Sequence, residues 1–263
     1  MIILNILQKI THSTKERVEA QKKILPMAQI IEMMRPSAES SFSFENALKS
    51  KDIAFICEIK KASPSKGIIA EDFPYIDIAK DYEAAGAAAI SVLTEPFWFK
   101  GDDRYLREIA DAVKIPLLRK DFTVDSYMIY EAKLLGASAV LLICSILDKN
   151  TLAEHISTSH SLGLSALVEV HNEDEIEMAL TAGARIIGVN NRNLKTFEVD
   201  ITLSERLRKL VPSEIIFVSE SGISSPSDID MLRKIGANAV LVGESIMKSI
   251  DKKAEVNRLR GLV

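Results

Sequence analysis

The sequence predicts an α/β fold, a single (β/α)8 TIM barrel with a helical extension at its N-terminus. Three observations predict it. Eight short β-rich runs alternate with seven amphipathic helical segments. Repeats of this kind demand parallel pairing with right-handed crossovers, and eight of them close a barrel more naturally than they fill an open sheet. The dipeptide Gly-Ala recurs at Gly86, Gly136, Gly183 and Gly236, each time between a helical segment and the next apolar run. Glycine there suits the left-handed turn that ends a helix. The length of 263 residues matches the roughly 250 typical of such barrels. No Gly-x-Gly-x-x-Gly opens the first helix, so a doubly wound dinucleotide-binding sheet is the weaker reading.

Taken in order, residues 1–47 form the extension and residues 48–263 the barrel. Ile3, Leu7, Ile10, Val18 and Leu25 recur at helical spacing among Lys, Glu and Gln until Pro26 interrupts them. A short apolar segment from Ile30 to Met34 runs up to Pro36. A Ser-rich connector from Ser37 to Ser43 follows, and a short helix from Phe44 to Leu48 leads into the barrel. The extension is expected to fold over the barrel mouth. The strands are expected at Ala54–Lys60, Ala88–Leu93, Pro116–Lys120, Ala139–Cys144, Ala166–Val170, Ile186–Asn190, Ile215–Glu220 and Ala239–Val242. Most are nearly continuous in Val, Ile and Leu, as parallel strands covered on both faces require. Helices are expected at Ile76–Ala85, Asp103–Ala112, Ser126–Leu135, Asp148–Ser161, Glu173–Ala182, Leu203–Leu210 and Pro226–Ile235.

Composition narrows the function. With 47% hydrophobic and 27% charged residues the chain reads as a soluble globular protein. A net charge of -4 offers no broad positive field, which argues against nucleic acid or an anionic membrane as partner. The longest mainly apolar run, Ala137 to Leu147, is too short to span a bilayer. Met1-Ile2-Ile3-Leu4 lacks the basic flank of a signal peptide, and a cytoplasmic monomer is expected. Cys57 and Cys144 read as buried free thiols, and no Cys/His cluster has zinc-ligand spacing. His12, His155 and His160 lie on mostly polar helical stretches and read as surface residues.

Active sites of such barrels sit at the carboxyl ends of the strands. There the sequence places Glu58, Lys60 and Ser63 on the first strand and its loop, Lys120-Asp121 on the third, and Glu169 on the fifth. The sixth ends in Asn190-Asn191-Arg192-Asn193, the seventh in Ser219-Glu220-Ser221-Gly222 and the eighth in Gly243-Glu244-Ser245. Alternation puts Glu58 and Lys60 on one face, away from Cys57 and Ile59. An ion pair closing the strand is the plainer reading of Glu58 and Lys60, and a paired acid and base the sharper one. Six strand ends with ionisable or amide side chains favour the second, because the alternative is a set of unpaired charges beside a dry core. The glycines of the last two loops let backbone approach a ligand, and Ser245 can cap the short helix that follows. A phosphorylated small molecule is the expected ligand, with the Glu244 side chain turned away and its N–H used. His171 reads as a loop histidine. Phe97-Trp98-Phe99 after the second strand reads as a wall for an aromatic group, with Phe99 its best candidate.

Together, Glu58-x-Lys60 with Ser63-Pro64-Ser65, Lys120-Asp121-Phe122, Leu167-Val168-Glu169-Val170, Asn190-Asn191-Arg192-Asn193-Leu194, Ser219-Glu220-Ser221-Gly222 and Val242-Gly243-Glu244-Ser245 resemble the indole-3-glycerol-phosphate synthases of tryptophan biosynthesis. The resemblance covers essentially the whole chain. It implies a carbon–carbon lyase that converts 1-(2-carboxyphenylamino)-1-deoxyribulose 5-phosphate to indole-3-glycerol phosphate by ring closure, decarboxylation and dehydration, with no metal or organic cofactor. It implies Lys120 as the acid of ring closure, with Glu169, Lys60 and Glu58 as the further catalytic residues. Which lysine serves which later step stays open. It implies Asn190, Arg192 and Ser221 as substrate contacts and Ser63, Gly222, Gly243, Glu244 and Ser245 around the phosphate. Asp102 stands where the family often has Ser, a departure outside the catalytic set. Two other readings compete. A phosphate-binding isomerase would usually need a Cys/Asp pair, yet Cys57 faces away from Glu58. A non-catalytic scaffold would have lost an acid or base, and none is lost.

Overall fold

The structure is a computed structural model that describes residues 6–34, 42–194 and 196–262. Ile3, Pro36 and most of the Ser-rich connector lie outside those residues. Eight parallel strands close a barrel: β1 (Ala54–Ile59), β2 (Ala89–Leu93), β3 (Leu117–Lys120), β4 (Ala139–Ile143), β5 (Ser165–Val170), β6 (Ile186–Asn190), β7 (Ile216–Glu220) and β8 (Ala239–Val242). β8 pairs back onto β1, with Ala54 opposite Ala239. Each expected strand is found within one residue at either end. The continuous apolar runs account for this, since both faces of every strand are buried.

Alternation divides the core into two layers. Phe55, Cys57, Ile59, Ile90 and Val92 point outward to the helices. Ala54, Ile56, Leu118, Leu141, Leu167, Val218 and Leu241 fill the barrel interior. The helices that follow the strands are α4 (Tyr75–Ala84), α5 (Asp103–Ala112), α6 (Ser126–Leu134), α7 (Lys149–Ser161), α8 (Glu173–Thr181), α9 (Thr202–Arg208), α10 (Pro226–Lys234) and, after a short α11 (Glu244–Lys248), α12 (Lys252–Arg260). Many begin on a side chain that accepts a backbone N–H: Asp102, Asp125, Asp148, Asn172, Ser225 and Asp251. Asp102 therefore does the capping work a serine would do. The four Gly-Ala glycines all have positive φ, from 76° to 90°. The sequence pattern did not indicate α12 or the hairpin that pairs Ala62–Ser63 with Gly67–Ile68.

The extension serves both ends of the barrel and not the mouth alone. α1 (Ile6–Ile24) crosses the mouth, where Ile6, Leu7 and Ile10 face the cavity. α2 (Met27–Met33) lies against α6, where Ile30 packs with Tyr127 and Met128, and the Tyr127 hydroxyl donates to the Leu25 carbonyl (2.8 Å). α3 (Ser43–Ala47) plugs the opposite end: Phe44 and Leu48 are fully buried in the interior layer, and the Glu45 N–H donates to Ser165 Oγ. The floor of the barrel is apolar, so leaving it open would expose that surface to water.

Candidate active site

All thirteen site residues expected from the sequence border one cavity of about 590 Å³ at the carboxyl ends of the strands. Strand register brings the charged ones together. Leu93 lies opposite Lys120, Ile143 opposite Glu169, and Asn190 opposite Glu220. The Lys120 ammonium sits 3.4 Å from Glu169 Oε2 and 3.5 Å from Glu220 Oε2. Asn190 Nδ2 donates to Glu169 Oε1 at 3.2 Å, and Asn190 Oδ1 accepts from the Arg192 N–H at 3.0 Å. Glu58 takes a hydrogen bond from Lys60. Two glycines make room for these carboxylates. A Cβ at Gly188 would lie 2.2 Å from Glu220 Oε1, and one at Gly243 would lie 2.5 Å from Glu58 Oε2.

Burial pulls the proton equilibria of these groups in one direction and their neighbours decide the outcome. For Lys120, burial disfavours the cation, but Glu169, Glu220 and Glu58 outweigh it and raise the ammonium pKa, so the group is protonated at neutral pH. For Glu169, burial alone would raise the carboxyl; Lys120, His171 and Asn190 bring it down to about 2. Glu58 is likewise lowered against its burial by Lys60 and Lys120. Glu220 is the exception. Burial, with repulsion from Glu169 and Glu58, exceeds the pull of Lys120 and sets it at about 7.

Glu220 was not among the expected catalytic or binding residues, although its place at a strand end signalled it. Its raised pKa has a stability consequence. An unfolded glutamate titrates near 4.3. Between that value and about 7 the folded chain binds the extra proton, so this group's contribution falls as pH rises through the window and is constant above it. The Glu220→Gln variant is therefore expected to melt several degrees higher than the parent at pH 8. The gain should fade as pH falls toward 5, while turnover drops because Lys120 loses a partner. Thermal melts across this range check it; a gain that grows on acidification contradicts the assignment.

The far side of the cavity is lined by loop residues, aromatic ones among them. Ser63 sits on the short hairpin after β1, and Phe99 stands on the wall with its ring 6.1 Å from that of Phe122. Phe97 and Trp98 do not line the cavity. The three aromatics are held in a tight loop by the buried Glu95, whose carboxylate accepts the N–H groups of Phe97, Trp98 and Phe99. Arg192 is steadied by donating to the Phe197 carbonyl (3.2 Å). Ser221 adopts φ 68° and Gly222 φ 81°, which turns the chain sharply after β7. The Glu244 carboxylate turns to Lys248, one helical turn on, at 2.7 Å. Ser245 does not cap α11. Gly243 occupies the N-cap position, and the Ser245 hydroxyl lies in the first turn, donating to the Ile223 carbonyl at 3.5 Å.

Two further residues gain partners and one reading changes. Asp121, adjacent to Lys120, is buried at the junction of barrel and extension. It accepts from Arg17 of α1 (2.8 Å), from the Thr94 hydroxyl (2.7 Å) and from the Phe122 N–H (2.8 Å). Arg17 thus ties α1 to the residue beside Lys120. Arg17→Met is expected to cost about 2 kcal/mol, less than the full loss of a buried pair because Thr94 and Arg119 remain near Asp121. A Tm lowered by roughly 4–8 °C with a raised KM is the expected result; an unchanged melt would show that the clasp is idle. His155 is buried, since Leu152, His155, Ile156 and Ser159 form the inner face of α7. His171 is half-buried against Glu169 and Glu175. Cys57 and Cys144 are buried and unpaired, as expected. Among the described residues no helix is long and apolar enough to cross a membrane.

Comparison with known proteins gives this geometry a context. The family model described as indole-3-glycerol phosphate synthase matches residues 7–259. A curated indole-3-glycerol phosphate synthase of Ruminiclostridium cellulolyticum is 61% identical over 257 residues, covering 97% of this chain and 99% of that protein. One from Endomicrobium trichonymphae is 57% identical over 246 residues, covering 93% and 95%. Among solved structures, 3-hexulose-6-phosphate synthase from Salmonella typhimurium aligns with a TM-score of 0.66 over 80% of this chain and 98% of that one, at 14% identity, a likeness of fold alone.

Proposed function

The chain belongs to the indole-3-glycerol phosphate synthase family, and from that premise we propose how its residues divide the work. The reaction takes 1-(2-carboxyphenylamino)-1-deoxyribulose 5-phosphate to indole-3-glycerol phosphate, carbon dioxide and water. The observation that carries the assignment is the Lys120 ammonium held between Glu169 and Glu220 at the cavity floor.

Lys120 gives its proton to the ketone oxygen as the ring carbon bearing the carboxylate attacks, so the developing charge is neutralised where it forms. Carbon dioxide then leaves, and its bonding electrons restore the ring. Lys60, paired with Glu58, protonates the new hydroxyl, which departs as water. Glu169 takes the proton from the carbon next to nitrogen. Because Glu169 Oε2 is 3.4 Å from Lys120, it can hand that proton back and reset the acid without solvent. Solvent reprotonates Lys60, so one proton is consumed overall; it offsets the carboxylate charge lost with carbon dioxide and leaves in the water.

Arg192 takes the substrate carboxylate, for which its planar fork is suited. Phe99 flanks the aryl ring, and Asn190 and Ser221 hold the sugar hydroxyls. Ser63, Ser245, Lys60 and the N–H groups of Gly222, Gly243 and Glu244 hold the phosphate. Residues 1–47 act as a helical extension on a barrel of residues 48–263, with α1 closing the mouth through Arg17. The working form is a cytoplasmic monomer: one chain alone supplies the acid, the base and the loops around the phosphate, and the two free thiols suit a reducing compartment. The test is to mix purified protein with the carboxyphenylamino substrate and follow indole emission, with and without a chelator. A rise in both is expected, and folded protein that binds substrate without forming product would reject the assignment.

A further inference from the structure

Beside Glu169, on the side away from the cavity, lies a second acid–base cluster that the reaction as assigned does not use. His171 Nε2 is 3.3 Å from Glu169 Oε1, an ion-pair contact without hydrogen-bond geometry, and His171 Nδ1 is hydrogen-bonded to Glu175 Oε2 at 3.1 Å. The same Glu175 oxygen accepts the His171 backbone N–H at 2.8 Å. Glu175 is itself fixed, because its N–H donates to the Asn172 side chain that caps α8 (2.9 Å). Sequence order builds this locally: β5 ends, Asn172 caps the helix, and the glutamate three residues on reaches back to the preceding turn. His171 borders an adjoining hollow beneath α1, which shares Asn190 and Arg192 with the substrate cavity, and does not itself line that cavity.

We infer that His171, clamped by Glu175, is a positioning residue for the base: its imidazolium holds Glu169 Oε1 and leaves Oε2 aimed at Lys120 and the substrate. The inference rests on Glu169 being that base. Two features support it. The two Glu169 oxygens have separate partners, Asn190 and His171 on Oε1 and Lys120 on Oε2. And a histidine between two carboxylates keeps its proton: burial works against the cation, but Glu169 and Glu175 raise His171 to about 10. The groups facing Glu169 are Lys120 from β3, Asn190 from β6, Glu220 from β7, Glu58 from β1 and His171. Those facing His171 are Glu169 and Glu175, with Glu220 within electrostatic reach, the Cys144 thiol near the first two, and His12, Lys15, Arg192 and Arg206 around the hollow it borders. Within this set His171 and Lys120 are the cations that keep Glu169 ionised, and His171 does so without contacting substrate.

The test is the pH dependence of kcat and KM for His171→Asn and Glu175→Gln, with the His171 ring followed by NMR in the unaltered protein. His171→Asn should lower kcat about tenfold at pH 7 with KM within about twofold, and move the acid limb of kcat up by about one pH unit. Glu175→Gln should add a loss of kcat between pH 7 and 9 that the parent lacks, as the histidine gives up its proton. The imidazole should carry both ring protons at pH 8. An unmoved acid limb with kcat reduced equally at every pH, or a neutral ring at pH 8, overturns the inference. Full activity in Glu169→Gln would instead reject the base assignment, while the ring titration would still report the ion pair.

Discussion

Lys120→Met is expected to lower turnover by about a thousandfold or more while the protein still folds and still binds substrate. Two losses combine. The ketone oxygen loses its proton donor, an effect of roughly 10²–10⁴ for a positioned acid. Glu169 and Glu220 also lose the cation between them, and two carboxylates left face to face in a buried site share a proton. The base is then partly protonated before substrate arrives. Methionine preserves the volume, and Glu220, which already sits at about 7 beside the cation, can take up a proton once the cation is gone, which keeps the cost to the fold small. The measurement is steady-state indole emission beside calorimetric substrate binding. Turnover within tenfold of the parent would remove Lys120 from the mechanism.

Glu169→Gln is the second large effect, expected at about a hundredfold to a thousandfold. Glutamine keeps the shape and can still meet Asn190, but it accepts no proton. Dehydration therefore stalls at its last proton transfer, and Lys120 is no longer recharged across the 3.4 Å gap. Ring closure and decarboxylation are slowed less, since Lys120 keeps Glu220 as a partner. An unchanged turnover would reject the base assignment.

Much of this arrangement was readable in the chain. Strand positions followed from runs such as Ala139 to Ile143, because a parallel barrel strand is apolar on both faces. The mouth followed from the rule that function gathers at carboxyl ends, so Glu58, Lys120, Glu169 and Asn190 could be grouped before any distance was known. Contacts between distant segments were not readable. Arg17 and Asp121 are 104 residues apart, and nothing local marks either as the partner of the other. The plug formed by Phe44 and Leu48 depends on the size of the barrel floor. His171 does lie in the loop after β5, but its partners were not readable, because Glu175 is turned toward it by the Asn172 cap, a geometry that spacing alone does not specify. His155 was a different case: the spacing of Leu152, His155, Ile156 and Ser159 carried the signal, and the polar composition of the helix concealed it.

In the proposed division of labour Lys120 is the acid of ring closure and Glu169 the base of dehydration. Rapid-quench measurement of carbon dioxide and indole from one reaction of the Glu169→Gln variant tests it most directly. Carbon dioxide should appear ahead of indole and exceed it, because the step blocked follows decarboxylation. If the two are lost in equal proportion, Glu169 acts before carbon dioxide leaves, and the division is contradicted.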